Sequence, residues 1–207
     1  MVTKSIVMFE SGLYGAKMIF VVTIASSLLG LYQAPALIDR SLFRPYWFLR
    51  RAQYDTVFMS GFVHADMQHL LMNMVTFYFF AFPLEARIGT IPFLVLYTFG
   101  LAASSLYTWY RHKTNPNYAT LGASGAISAV LFAFIIYEPF TSLFIFPLPV
   151  PIPAFVFAVC YVGYSYWASK QQQGRINHDA HLWGALSGLV FVLLYDPGAY
   201  QRLLTQL

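Results

Sequence analysis

Six stretches of this chain are apolar over the length of a membrane-crossing helix, and that recurrence limits the fold more than any other feature. They lie at about residues 18–37, 67–84, 91–110, 122–137, 154–169 and 180–195. A spanning helix needs about 20 mostly apolar residues. Charged side chains make up only 10% of the sequence and hydrophobic ones 58%, whereas soluble domains carry about 25% charged residues. The expected fold is an all-α membrane protein, a bundle of six transmembrane helices forming one domain over residues 1–207. Residues 1–17 read as a mixed N-terminal lead without a signal-peptide cleavage site, and the core as about 54–195.

The connections carry their own signals. Residues 38–63 mix Arg40, Arg44, Arg50 and Arg51 with Phe43, Tyr46, Trp47, Phe48 and Leu49, a pattern suited to an interfacial first loop on the membrane surface. Prolines at 147, 149, 151 and 153 cannot continue a helix, so residues 140–153 read as an extended interfacial connection. The fourth and sixth segments are short for a full span and are therefore expected at the centre of the bundle. The net charge of +4 is scattered between apolar stretches and is no nucleic-acid signal. Cys160 is the single cysteine, which excludes an intrachain disulfide and leaves no thiolate set for a metal.

Polar residues inside spanning segments are costly and mark function by default. His69 and Asn73 fall in the first turns of the second segment, Ser124 in the first turn of the fourth, and His181 in the first turn of the sixth. Even-numbered segments cross in one direction, so these four side chains meet at one depth on one side of the membrane. Gly125, Ala129 and Ala133 form one small-residue stripe, and Ala180, Gly184 and Gly188 another. Such stripes let helix backbones approach closely in lipid, and a serine–histidine pair must come within about 2.6–3.2 Å to exchange a proton.

Taken singly, these residues are ordinary. A serine flanked by glycines is usually packing, His69 and Asn73 read most simply as interhelical hydrogen bonds, and His181 would serve a transporter's proton relay. Their conjunction points instead to acyl transfer. Neutral His181 would take the proton of Ser124 as its hydroxyl attacks a peptide carbonyl, and return it to the leaving amine. The N–H of Ser124 at a helix start, with His69 and Asn73, would face the oxyanion.

Three ordered motifs carry a family resemblance. His64-Ala-Asp-Met-Gln-His69-Leu-Leu-Met-Asn73 resembles the rhomboid pattern H-x-x-x-x-H-x-x-x-N, Gly122-Ala-Ser124-Gly125 resembles its G-x-S-G, and Ala180-His181-x-x-Gly184-x-x-x-Gly188 resembles its sixth helix. Glu85-Ala-Arg87-Ile-Gly89 looks like the turn after the family's second core helix. The resemblance implies an intramembrane serine endopeptidase that cleaves transmembrane protein substrates within the lipid bilayer. It implies a Ser124–His181 dyad with His69, Asn73 and Gly122 on the oxyanion side, and no cofactor and no metal. His64, Gly125, Gly184 and Gly188 would support these residues. The alternative within the family is a catalytically silent, client-binding pseudoprotease. Asp179 lies two residues before His181 and points elsewhere on a helix, and His178 reads as a loop residue. By analogy with the family, the fifth segment and residues 171–174 would gate substrate, and the polar loops 113–120 and 171–179 would flank a water-filled opening. The family's usual placement is a cell inner membrane or its equivalent, with the N-terminus cytoplasmic and the site outside. That placement puts eight Lys and Arg outside (Arg40, Arg44, Arg50, Arg51, Arg111, Lys113, Lys170, Arg175) against four inside (Lys4, Lys17, Arg87, Arg202), contrary to the positive-inside tendency. Oligomeric state leaves no mark in the sequence.

Overall fold

The computed structural model describes residues 14–144, 150–171 and 177–205. Each apolar segment carries one long helix: α1 (Tyr14–Tyr32), α5 (Met67–Ile88), α6 (Thr90–His112), α7 (Ser124–Tyr137), α8 (Ala154–Gln171) and α9 (His178–Tyr195). Shorter pieces are α2 (Pro35–Ser41), α3 (Pro45–Arg50), α4 (Thr56–Met59), strands β1 (Ser142–Phe144) and β2 (Pro151–Pro153), and α10 (Gly198–Leu204). By length and apolarity, α1 and α6 are each sufficient to cross a membrane, with a third span if α9 and α10 count as one run bent by 108°. The other helices miss that measure for visible reasons. Helix α5 carries His69, Asn73, Glu85 and Arg87, and α7 has 14 residues, about 21 Å of helix against a hydrocarbon layer of about 30 Å.

Contacts along the helices set their directions. From the Ser124 end downward, α5 meets the α7 region at His69 beside Gly122, at Phe80 against Phe134, and at Arg87 bound to Glu138. Helix α9 follows α7 with Gly184 against Gly125 and Gly188 against Ala129. These three helices therefore run parallel. Helix α6 runs against them, with Gly100 on Ala129 and Ser104 on Gly125, and α1 also runs against α5, with Gly15 at Glu85 and Ser27 at His64. The Glu85 carboxylate accepts the N–H groups of Gly15 and Ala16 at 2.9 and 2.8 Å and the Thr90 hydroxyl at 2.6 Å. These bonds satisfy donors that the start of α1 leaves open and account for a carboxylate buried in an apolar bundle.

Helix α7 occupies the centre, as its shortness suggests, with every residue from Gly125 to Ile136 buried. The expectation for the sixth segment is corrected. Helix α9 runs 18 residues and buries Asp179, Gly184, Ala185, Ser187, Gly188 and Val192, while Val190, Leu193 and Leu194 remain exposed. It packs against the centre along its small-residue face without being enclosed. The first segment also differs, because the helix stops at Tyr32 and a new one starts at Pro35, a residue with no N–H to give an α-helical ladder. The arginine-rich loop folds rather than merely lying flat. Phe43 is buried and pairs with Thr120 through backbone bonds of 2.9 and 3.0 Å, while Arg50 and Arg51 stack over Tyr46 and Trp47 at 4.0 and 3.8 Å. In the proline-rich connection, β1 and β2 form a two-stranded antiparallel ribbon. Prolines 147 and 149, residues 172–174 of the stretch 171–174 expected to gate substrate, Arg175 and most of the N-terminal lead lie outside the described residues.

Candidate active site

Ser124 opens α7, and the chain leading into it is held from three sides. The Thr120 backbone pairs with Phe43, the Gly122 N–H donates to the Ser60 carbonyl at 2.8 Å, and the Ala123 N–H donates to His64 Nε2 at 3.5 Å. The first bond of the α7 ladder runs from the Ile127 N–H to the Ala123 carbonyl at 3.0 Å. Helix geometry therefore gives the N–H groups of Ser124, Gly125 and Ala126 no acceptor four residues back. A Ser124 hydroxyl beside open N–H groups at a helix start is suited to attack a carbonyl and hold the resulting oxyanion.

His64 is fully buried. Since Nε2 accepts from Ala123, Nδ1 carries the proton and donates to Ser27 Oγ at 3.0 Å. Burial and the neighbouring His69 together pull its pKa down to about 3, so it is neutral. It ties α1 to Ala123, the residue before Ser124. Its ring meets His69 edge-on at 4.8 Å. The Asp66 carboxylate caps α5 by accepting the His69 N–H at 2.7 Å.

Gly122 has φ +113°, and a Cβ there would come within 2.5 Å of His69 Cε1. His69 thus lies directly beneath the turn that delivers Ser124. Asn73 is buried on the same helix, but its amide donates to its own chain, to the His69 carbonyl at 3.0 Å. The structure gathers His64, His69 and Gly122 around the approach to Ser124, while Asn73 turns its amide to the His69 carbonyl instead.

His181 is set by a separate fastening. Asn177 caps α9, its side-chain oxygen accepting the Ala180 N–H at 3.0 Å and its amide donating to Thr108 Oγ1 of α6 at 3.1 Å. Asp179 turns away from His181 to pair with Arg111 at 3.5 Å, as its helical position implies. His178 is the first residue of α9 rather than a loop residue, and its ring meets His181 edge-on at 5.9 Å. The starts of α7 and α9 approach each other through the neighbours of Ser124 and His181. The Ala180 carbonyl lies 3.5 Å from where a Gly125 Cβ would stand, and a Cβ on Gly184 or Gly188 would overlap the carbonyl of Gly125 or Ala129. Ser124 and His181 therefore flank one backbone-to-backbone helix contact.

Further residues that the sequence did not single out stand beside Ser124 and His181. Tyr161 of α8 stacks on the His181 ring at 6.3 Å and shares a 2.7 Å hydrogen bond with Ser128, one turn after Ser124. A cavity of about 30 Å3 is lined by Ser124 together with Ser60, Ser104, Thr108, Thr120 and Asn177 among others, room for about one water. Ser104 and Thr108 lie four apart in α6, a spacing that could have revealed part of the lining. Nothing in the spacing announces Tyr161. Among the described residues, no group of three or more His, Cys, Asp or Glu side chains is arranged to hold a metal.

A family model for the rhomboid domain matches residues 51–197, more than two thirds of the chain. The chain belongs to the rhomboid family. This rhomboid is 31% identical over 135 residues to Rhomboid protein 1, mitochondrial, of Saccharomyces cerevisiae, covering 64% of this chain and 39% of that protein. It is 28% identical over 151 residues to RHOMBOID-like protein 12, mitochondrial, of Arabidopsis thaliana, covering 66% and 45%. It is also 28% identical over 145 residues to Presenilin-associated rhomboid-like protein A, mitochondrial, of Danio rerio, covering 65% and 36%. The chain thus spans less than half the length of these relatives. All the residues of the candidate site, from His64 to Gly188, fall within the matched rhomboid region.

Proposed function

We propose that this rhomboid is a six-span intramembrane serine endopeptidase of an inner-membrane type of bilayer, acting on transmembrane segments of other proteins. In this reading Ser124 Oγ attacks the scissile carbonyl carbon while its proton passes to His181. The oxyanion accepts from the Ser124 N–H, with His69 and Asn73 as further donors after Asn73 releases its own carbonyl. Collapse breaks the C–N bond, and His181 protonates the departing amine. Water then attacks the acyl-serine with His181 again as base, releasing the acid and restoring the hydroxyl. The observation that carries this reading is the close parallel approach of Gly125 to Gly184, which puts the residues beside Ser124 and His181 in contact.

Helix α8 buries only Ala154, Ser165 and Ala168, so it is the long helix that parts from the bundle with least loss and the one we assign to substrate entry. Substrate helices with Gly or Pro near the cut would unwind into the site most readily. Replacing those residues by Leu in a cleaved substrate is expected to slow cleavage, and unchanged rates would remove this preference.

The test uses purified protein in micelles. A serine-directed phosphonate is expected to label the wild type and leave Ser124→Ala unlabelled, and a generic single-span substrate is expected to be cleaved only by the former. Equal labelling of both would sink the dyad. Client binding that survives in Ser124→Ala and His181→Ala, with no cleavage by the wild type, would identify a pseudoprotease instead.

A further inference from the structure

At the end of the bundle away from Ser124, where α5, α7 and α9 all terminate, there is an open cavity of about 380 Å3. It is lined by Arg87, Ile88, Tyr137, Tyr195, Asp196 and Arg202. That volume falls within the range of about 300–1,000 Å3 usual for small-molecule sites. Its walls are built rather than incidental. The Arg87 guanidinium sits 4.8 Å from the Tyr137 ring centre and binds Glu138 at 2.9 Å. From α10, Arg202 binds Asp196 at 2.6 Å. The Tyr195 hydroxyl donates to the Ile88 carbonyl at 3.2 Å, closing one side. A guanidinium carries five N–H donors, and each of these ion pairs engages one nitrogen. The Tyr137 hydroxyl is enclosed and has no hydrogen-bond partner among the described residues.

Position and charge say what such a pocket would take. Helix α10 turns 108° from α9, so with α9 crossing the bilayer α10 lies along its surface, at the level of lipid headgroups. Beside the pocket, Ile91, Leu194 and Leu204 are exposed by 75%, 77% and 72%, apolar surface of the kind that faces acyl chains. The two guanidinium groups suit phosphate oxygens, since arginine's fixed fork matches that geometry. Asp196 and Glu138 offset both positive charges, so the cavity as a whole is neutral. A singly anionic headgroup would meet these carboxylates, whereas a zwitterionic one would place its ammonium against Asp196.

We propose that this pocket seats the headgroup of a zwitterionic aminophospholipid, its phosphodiester against Arg87, Arg202 and the Tyr137 hydroxyl and its ammonium against Asp196. The site is separate from the dyad, and its occupancy is read without proteolysis, so the two proposals fail independently. Short-chain phosphatidylethanolamine, titrated into the full chain in maltoside micelles, is expected to raise the thermal unfolding midpoint saturably. Diacylglycerol of the same chains and free phosphoethanolamine are expected to leave it unmoved. Tyr137→Phe, which deletes one hydroxyl, is expected to weaken the titration at least about tenfold, the contribution of one hydrogen bond to a charged group. Arg87→Gln combined with Arg202→Gln is expected to abolish it. If the double variant does not fold, the Tyr137→Phe titration decides alone. A shift of equal size with diacylglycerol, with free phosphoethanolamine or with short-chain phosphatidylglycerol, or an unaltered titration in Tyr137→Phe, would overturn the assignment.

Discussion

Gly122 combines two requirements that no other residue meets: a backbone φ of +113° and a vacant Cβ position over the His69 ring. Gly122→Ala is expected to cost about 1–3 kcal/mol of stability from backbone strain alone and to displace Ser124 or His69. The measurements are an unfolding titration and phosphonate labelling, and a labelling rate equal to wild type would refute the role given to this turn. Tyr161 makes a finer distinction. Tyr161→Phe keeps the ring over His181 and loses the bond to Ser128, so a loss of a few-fold in cleavage rate is expected. Tyr161→Ala removes both and is expected to cost substantially more. Equal rates for the two would mean that the stack orients nothing. At this scale the motif residues were legible because each is chemically unusual for its place, as His181 is in an apolar helix. Tyr161 was not legible, because the sequence has 15 tyrosines and only packing brings this one to the imidazole.

At the scale of elements, α7 and α9 meet through absent side chains. A Cβ at Gly184 would overlap the Gly125 carbonyl, which neither backbone can yield without separating the helices, whereas a Cβ at Gly163 of α8 would meet nothing within 4 Å. Gly184→Ala is therefore expected to lose essentially all cleavage and at least about 1–3 kcal/mol, the usual cost of overpacking. Gly163→Ala is expected to be neutral in activity and to stabilise by up to about 0.5–1 kcal/mol through helix propensity. Parallel unfolding and cleavage assays check both, and similar outcomes for the two glycines would contradict the packing described. Small-residue spacing at Gly184 and Gly188 was readable in advance, because a period of four marks one helix face. The break between α1 and α2 was also signalled by Pro35 yet lay inside an apolar run, where hydropathy alone does not register it.

For the whole molecule, His64 joins the first loop, α1 and the approach to Ser124, and its protonation is a matter of global stability. Its pKa falls from the ordinary 6.5 to about 3 on folding, so below pH 6.5 the unfolded chain binds the extra proton. Stability is thus fully present above about pH 6.5 and is lost as pH falls from there toward 3, with a limiting slope of about 1.4 kcal/mol per pH unit. Unfolding midpoints at pH 7.5 and 5.5 are expected to differ in wild type, and His64→Gln is expected to flatten that difference. An identical slope in the variant would mean that another group dominates. The amino-acid order alone determined the helix-forming segments, the class of solvent they require and the residues proposed here for acyl transfer, because hydrophobic length and chemical identity are local properties. Only the tertiary structure decided that α9 lies partly exposed beside the central α7, that Asp179 serves Arg111, that Asn73 donates to its own helix, and that two arginines and two tyrosines line an open cavity at the far end. Each of these depends on which faces meet across the bundle, and the relative rotation of packed helices is set by the sum of many contacts rather than by any one segment.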